Sequence, residues 1–296
     1  MATKLQMMSE LAAQTTEQLT QSVGNWTRFL DSAAWLYKYP FHEQVLIHAQ
    51  RPDATACAPI ELWNDTFKRW VNKGAKGIAL IDDSGQKPTL RYVFDISDTN
   101  TRYNIPFRLW QTKPEYEAQI IEELQNHFGD TGIEDADFST AMLGIAINAV
   151  SDNYRDYYEE LLKVADNSAL TDLSDDEISS TFMLQLMTSV SHTVLVRLGI
   201  DPASIFHGNE YDSISLFNSP DTIAQLGAAT SDISEMVLRQ IERSVRSMER
   251  QERDTLAKSP QVLQNEDRKN ERSDGYGTQL QTERGLSDSR YRDGRA

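Results

Sequence analysis

The chain has 296 residues, with 29 Lys and Arg against 45 Asp and Glu and a net charge of −16, which excludes an affinity for nucleic acid spread over the whole surface. Its hydrophobic content of 39% allows a real core, but no run of 18 or more apolar residues is present to span a bilayer. A single cysteine, Cys57, excludes an internal disulfide and fits a reducing, cytoplasmic setting.

The charge is unevenly placed. Residues 1–112 carry 12 basic and 11 acidic side chains, residues 113–185 carry 3 and 17, and the remainder carries 14 and 17. The middle of the chain therefore holds nearly all of the excess, which leaves the first third able to present a local basic face. Residues 1–21 are polar and rich in Thr and Gln, with no apolar signal-peptide core, and are expected to form a flexible lead-in.

Trp26, Phe29, Leu30, Ala33 and Tyr37 recur with helical spacing and predict a helix over about 25–37 that Pro40 ends. A short helix is expected from Phe41 to Ala49. A turn follows at Arg51-Pro52-Asp53, and a third helix runs from Ile60 to Phe67 with Pro59 at its start. Trp70-Val71, Ile78–Ile81 and Leu90–Ile96 are short apolar or β-branched runs, with Asp82-Asp83-Ser84-Gly85 as a hairpin turn between the last two. They predict a small β-meander packed on the preceding helices, with one more extended segment at Arg102–Trp110. Residues 22–112 are thus expected to form an α+β domain.

From Pro114 the pattern is helical. Tyr116, Ile120, Leu124 and Phe128 step by four, and Phe138, Met142, Ile145 and Ala149 do much the same. Ser174-Asp-Asp-Glu177 is a capping box that opens a long helix ending at Gly199. Ser219-Pro220 opens another helix, and a last one is expected from about Asp232 to Glu252. Residues 113–252 are read as an acidic all-α domain, and 253–296, nearly devoid of apolar side chains, as a disordered tail.

Catalytic and metal motifs are not evident. His42-Glu43 begins like a zincin helix, but Leu46 stands where the second histidine belongs, and His48 is six residues from His42. Cys57 has no partner signature and reads as a small buried residue. Gly74-Ala75-Lys76-Gly77 lacks the spacing and the Ser/Thr of a P-loop and reads first as a tight turn. The same turn presents Lys73 and Lys76 next to backbone N–H groups, as a phosphate contact requires. Lys68 and Arg69 precede Trp70, and the run from Lys68 to Lys76 contains no acid. Cations interleaved with an aromatic suit single-stranded nucleic acid.

Tyr39, Pro40, Gln44, Leu46 and Ile47, then Trp63, then Val71-Asn72-Lys73-Gly74-Ala75-Lys76-Gly77 before Ile78 occur in the order found in the N-terminal domain of ArdC-type antirestriction proteins. Residues 25–110 resemble that domain. A wider likeness, over about 25–250, is to the front segments of large proteins of conjugative elements that continue into helicase and methylase modules. It is carried by Arg197-Leu-Gly-Ile-Asp-Pro202 and by Ala229-Thr-Ser-Asp-Ile233. The resemblance implies single-stranded DNA binding that protects or handles a transferred strand. The metallopeptidase motif of the ArdC family is missing, so protease activity is not carried over.

The expectation is a non-enzymatic binder without a cofactor. Lys68, Arg69, Lys73 and Lys76 would contact phosphates, Trp70 would stack on a base, and Tyr39 and Gln44 would line the groove. The alternatives are an acidic DNA mimic that inhibits a host nuclease, or a scaffold for helicase and methylase modules, with the chain either standing alone or forming the front of a longer one.

Overall fold

The structure is a computed structural model that describes residues 2–101 and 107–258. It is mostly helical, with two small antiparallel sheets.

The lead-in is the first departure from expectation. Lys4–Leu19 forms helix α1, opened by a capping box in which Thr3 Oγ1 accepts from the Gln6 backbone and Gln6 Oε1 accepts from the Thr3 backbone. The Thr/Gln composition masks a helical stripe: Leu5, Met8, Ala12, Thr15 and Leu19 turn inward, and Leu19 reaches the core. Helix α2 (Val23–Trp35) follows, with Ser22 accepting from the Asn25 backbone at its start. Helix α3 (Phe41–Gln50) has two buried faces. Phe41 and Val45 join the large helical core, while Leu46 and Ile47 lie beneath the larger sheet.

That sheet has the order β1 (Cys57–Ala58), β4 (Thr89–Asp95), β3 (Ile78–Asp82). The hairpin β3–β4 forms as the sequence predicts, with Asp82 opposite Thr89. Strand β2 (Trp70–Val71) does not join it. It pairs with β5 (Thr99–Asn100) in a separate two-stranded ladder, so the expected meander is replaced by two pairings. The reason lies at Asp95, which is 2% exposed. Its carboxylate accepts from the backbones of Thr55, Ala56 and Ser97 and from Ser97 Oγ, which docks β1 on β4 and turns the chain through Ile96–Asp98 toward β2. Burial works against that charge, but the hydrogen bonds outweigh it and hold the carboxyl below its usual range. Asp95→Ala strands three partly buried backbone N–H groups. It should cost at least about 2 kcal/mol, measured as a lowered urea midpoint at unchanged m-value.

Helix α4 (Ile60–Asp65) sits between β1 and β2 and buries Trp63, whose Nε1 donates to the Phe94 carbonyl at 2.8 Å. In the second half, α5 (Glu117–Phe128) and α6 (Phe138–Leu162) bury the residues whose spacing marks them. Helix α7 (Asp175–Leu198) starts at the Ser174/Glu177 capping box and ends at Gly199, whose φ of 78° is the left-handed conformation that glycine supplies. It is buried around much of its circumference, as a central helix must be. The two helices expected after Ser219 are one, α8 (Pro220–Lys258), because Gly227 continues the helix and lets α8 press on α3.

One buried cluster runs from Leu19 through Trp26, Phe29 and Trp110 to Ile145, Val190 and Val245. The boundary expected near residue 112 therefore marks no break in the core. Trp26 Nε1 donates to Ser189 Oγ at 2.9 Å, tying α2 to α7, and the Gln44 amide donates to Ser231 Oγ at 3.1 Å, tying α3 to α8. No helix among the described residues is long and apolar enough to cross a membrane. Residues 102–106 of the expected extended segment, and the expected disordered tail from 259 on, lie outside the described residues. The first six residues of that tail, 253–258, continue α8.

Candidate nucleic-acid interface

The basic ridge begins where α4 ends. Lys68 adopts φ 53° and its Nζ donates to the Asp65 carbonyl at 2.6 Å, capping the helix while the side chain stays exposed. The chain then enters β2 and turns through Asn72–Ala75, closed by the Ala75 N–H on the Asn72 carbonyl at 3.0 Å. Gly74 has φ 88° in the third position of that turn, where only a residue without Cβ sits at ease. Gly77 is a close approach: a Cβ there would meet the Phe94 and Tyr92 side chains at 3.1–3.2 Å. Lys73 and Lys76 flank the bend, both exposed, and neither forms an ion pair with a described residue.

The other predicted residues are placed differently. Arg69 is committed internally: Nε donates to Thr99 Oγ1 at 2.7 Å and Nη2 to the Thr99 carbonyl at 3.0 Å, locking β2 to β5. Gln44 is 1% exposed. Its amide nitrogen donates to the carbonyls of Leu36 and Tyr39 and to Ser231, so it fastens the α2–α3 turn to α8 and lines no groove. The nitrogens of both side chains are taken up by the local backbone, Thr99 and α8, a use that one-dimensional spacing does not reveal. Trp70 is half-buried on β2. Tyr39 is half-buried with its hydroxyl donating to the Cys57 carbonyl at 2.7 Å, and it lies in the wall of a cleft.

That cleft, of about 570 Å³, adjoins the ridge through α4, whose Leu62 and Trp63, followed by Thr66 and Phe67, form one wall. Trp35 to Tyr39, Phe107 to Trp110, and three charged residues from α7 and α8 line the rest of it. Trp63, Phe67 and Phe107 pack on one another at centroid distances of 5.0–5.4 Å. On the far side, Arg197 lies 3.6 Å from the Trp110 ring centroid and 4.9 Å from that of Trp35, and Nη2 donates to the Trp110 carbonyl at 3.0 Å. Trp110 Nε1 donates to Tyr37 Oη at 3.0 Å, and Tyr37 donates in turn to Glu242 at 2.6 Å. Glu242 also meets Lys38 at 2.6 Å and Arg246 at 2.7 Å. Burial alone would raise the Glu242 carboxyl, but hydrogen bonds from Lys38, Tyr37 and Arg246 hold it at about 2. Cys57 is also in the wall, where burial and then the charge of Asp95 push its thiol up to about 12, which keeps it in the thiol form at neutral pH.

Sequence reasoning missed this cleft. Its one signal is a charged residue inside an apolar stripe: Glu242 among Leu238, Ile241 and Val245, and Arg197 among Val194, Leu195 and Leu198. Among the described residues, no group of three His, Cys, Asp or Glu side chains converges as a metal site requires. Comparison with family models, curated proteins and solved structures finds no match to this chain.

Proposed function

We propose that this protein binds single-stranded DNA without transforming it, in the handling or protection of DNA transferred by a mobile genetic element. The observation that carries the reading is the exposed lysine pair, Lys73 and Lys76, held on either side of a glycine bend with no carboxylate partner among the described residues. Lys68 extends the ridge toward α4, whose other flank is the aromatic cleft. Cations that track a backbone beside rings that accept bases are the two elements a single strand needs. Arg69 and Gln44 drop out of the contact set, and Trp70 and Tyr39 stay within it as flanking aromatics.

Fluorescence anisotropy with a labelled dT oligonucleotide at low salt tests the reading. Lys73→Ala/Lys76→Ala should weaken binding about tenfold and flatten the salt dependence of log K by about 1.4, the share of two phosphate contacts on a single strand. Absence of binding by the native chain, or an unchanged double variant, would overturn it.

One observation favours a second reading. Residues 152–177 present nine acids, all exposed, against Arg155 and Lys163, which are themselves paired with Glu159 and Glu160. Such a face could imitate a phosphate backbone and occupy a nuclease groove. Capture of a restriction-type nuclease in the absence of nucleic acid, by a chain that fails the oligonucleotide titration, would establish that reading instead.

A further inference from the structure

Arg197 is 4% exposed, yet no described carboxylate lies within ion-pair distance of it. Its Nε and Nη1 donate to no described residue, while the guanidinium lines the cleft. A buried cation with no counter-ion in contact is expensive, and two indole faces with one carbonyl return only part of that cost. Burial lowers the guanidinium to about 10, so it remains charged at neutral pH. Glu242 attracts it only through space, because its hydrogen bonds and ion pairs go to Lys38, Arg246 and Tyr37.

The rest of the cleft matches the deficit. Lys38, Arg246 and the exposed Arg108 line it as well, so four cations face one carboxylate. The half-buried rings of Trp35, Phe67 and Phe107 stand around the same space. Its volume of about 570 Å³ is within the usual range for small-ligand sites.

We propose that this cleft is a seat for a nucleotide phosphomonoester, with the phosphate between Arg197, Lys38, Arg246 and Arg108 and the base against the aromatic wall formed by α4 and Phe107. A fork of guanidinium groups matches phosphate oxygens, and flat rings accept any base without reading its edge. The proposal deepens the single-strand reading, because a strand carrying a terminal phosphate offers this chemistry as well as a free mononucleotide does. The ridge and the cleft are separate surfaces, and each can fail without the other.

Isothermal titration of the full chain with dTMP, thymidine and inorganic phosphate is the first measurement. dTMP should bind at least about tenfold more tightly than either fragment, since only it engages both the cations and the rings. Arg108→Ala, which removes an exposed side chain, and Lys38→Ala should each weaken dTMP about five- to tenfold, with circular dichroism unchanged. Lys73→Ala/Lys76→Ala should leave dTMP affinity intact while losing oligonucleotide, which separates this site from the ridge.

A second arm compares oligonucleotides bearing a 5′-phosphate or a 5′-hydroxyl as competitors of dTMP. Stronger competition by the phosphorylated strand identifies a strand end as the occupant. Equal and weak competition identifies the free nucleotide. The proposal is overturned if dTMP gives no heat, if thymidine or inorganic phosphate binds as well as dTMP, or if Arg108→Ala and Lys38→Ala both bind dTMP like the native chain.

Discussion

Gly227→Ala should be among the most disruptive single-methyl changes in this protein. A Cβ at that position would lie 2.2–2.4 Å from three carbons of the Phe41 ring, and Phe41 is 7% exposed in the shared core. The ring cannot swing into solvent, and the backbones of α3 and α8 are held together by Gln44 and Ser231. The expected cost is at least about 3 kcal/mol, the upper end for an overpacked core, read from urea unfolding. Two controls make the cause specific. Gly24→Ala, with nothing within 4 Å of the added methyl, should stabilise α2 by about 0.5–1 kcal/mol. Phe41→Leu/Gly227→Ala should recover part of the loss, because the two sites share one space. A Gly227→Ala midpoint equal to that of the native chain would show that α3 and α8 do not meet as described.

The second large effect centres on Glu242. Its carboxylate is 11% exposed and gathers Tyr37, Lys38 and Arg246. Removing it leaves two cations and a buried hydroxyl facing one another. Complete loss of a buried charge partner costs about 3–5 kcal/mol. Because Lys38 and Arg246 are about half-exposed and can take up water, Glu242→Gln should cost nearer 2–3 kcal/mol at neutral pH. The pH dependence follows from the carboxyl being held at about 2, below its value near 4.3 in an unfolded chain. The folded state binds the proton less readily than the unfolded state. The stabilisation is therefore fully present above about pH 4.5 and is lost as the pH falls toward 2. The native chain and Glu242→Gln should differ most at pH 6, and the gap should shrink steadily as the pH falls from about 4.5 to about 2. A gap that stays constant over that range would mean the carboxylate is not held by its neighbours.

Much of the secondary structure was legible because it depends on local rules. The Tyr116, Ile120, Leu124, Phe128 spacing, the Ser174–Glu177 box and the Gly199 stop each became the element they signal. What failed depended on partners distant in the chain. Helix α1 was hidden because Thr and Gln supply its capping box while its apolar stripe is thin. The meander failed because Asp95, a residue unremarkable in one dimension, draws four donors from Thr55, Ala56 and Ser97. The site divides along the same line. The lysine bend was readable from glycine and charge. The inward roles of Arg69 and Gln44 are not readable, because their nitrogens donate to Thr99 and Ser231, 30 and 187 residues away. The cleft needed α2, α7 and α8 brought together before Lys38, Arg197 and Glu242 could be seen as neighbours.

The Arg197–Glu242 side of the cleft also bears on modularity. The lysine bend and the α4 wall come from the first third of the chain, but the buried cation arrives on α7 and the carboxylate on α8. A shorter protein sharing only the first 112 residues would inherit the exposed lysines without a charged floor behind the rings. Whatever the pocket binds therefore depends on α7 and α8 as well, and it cannot be transplanted with the front third alone.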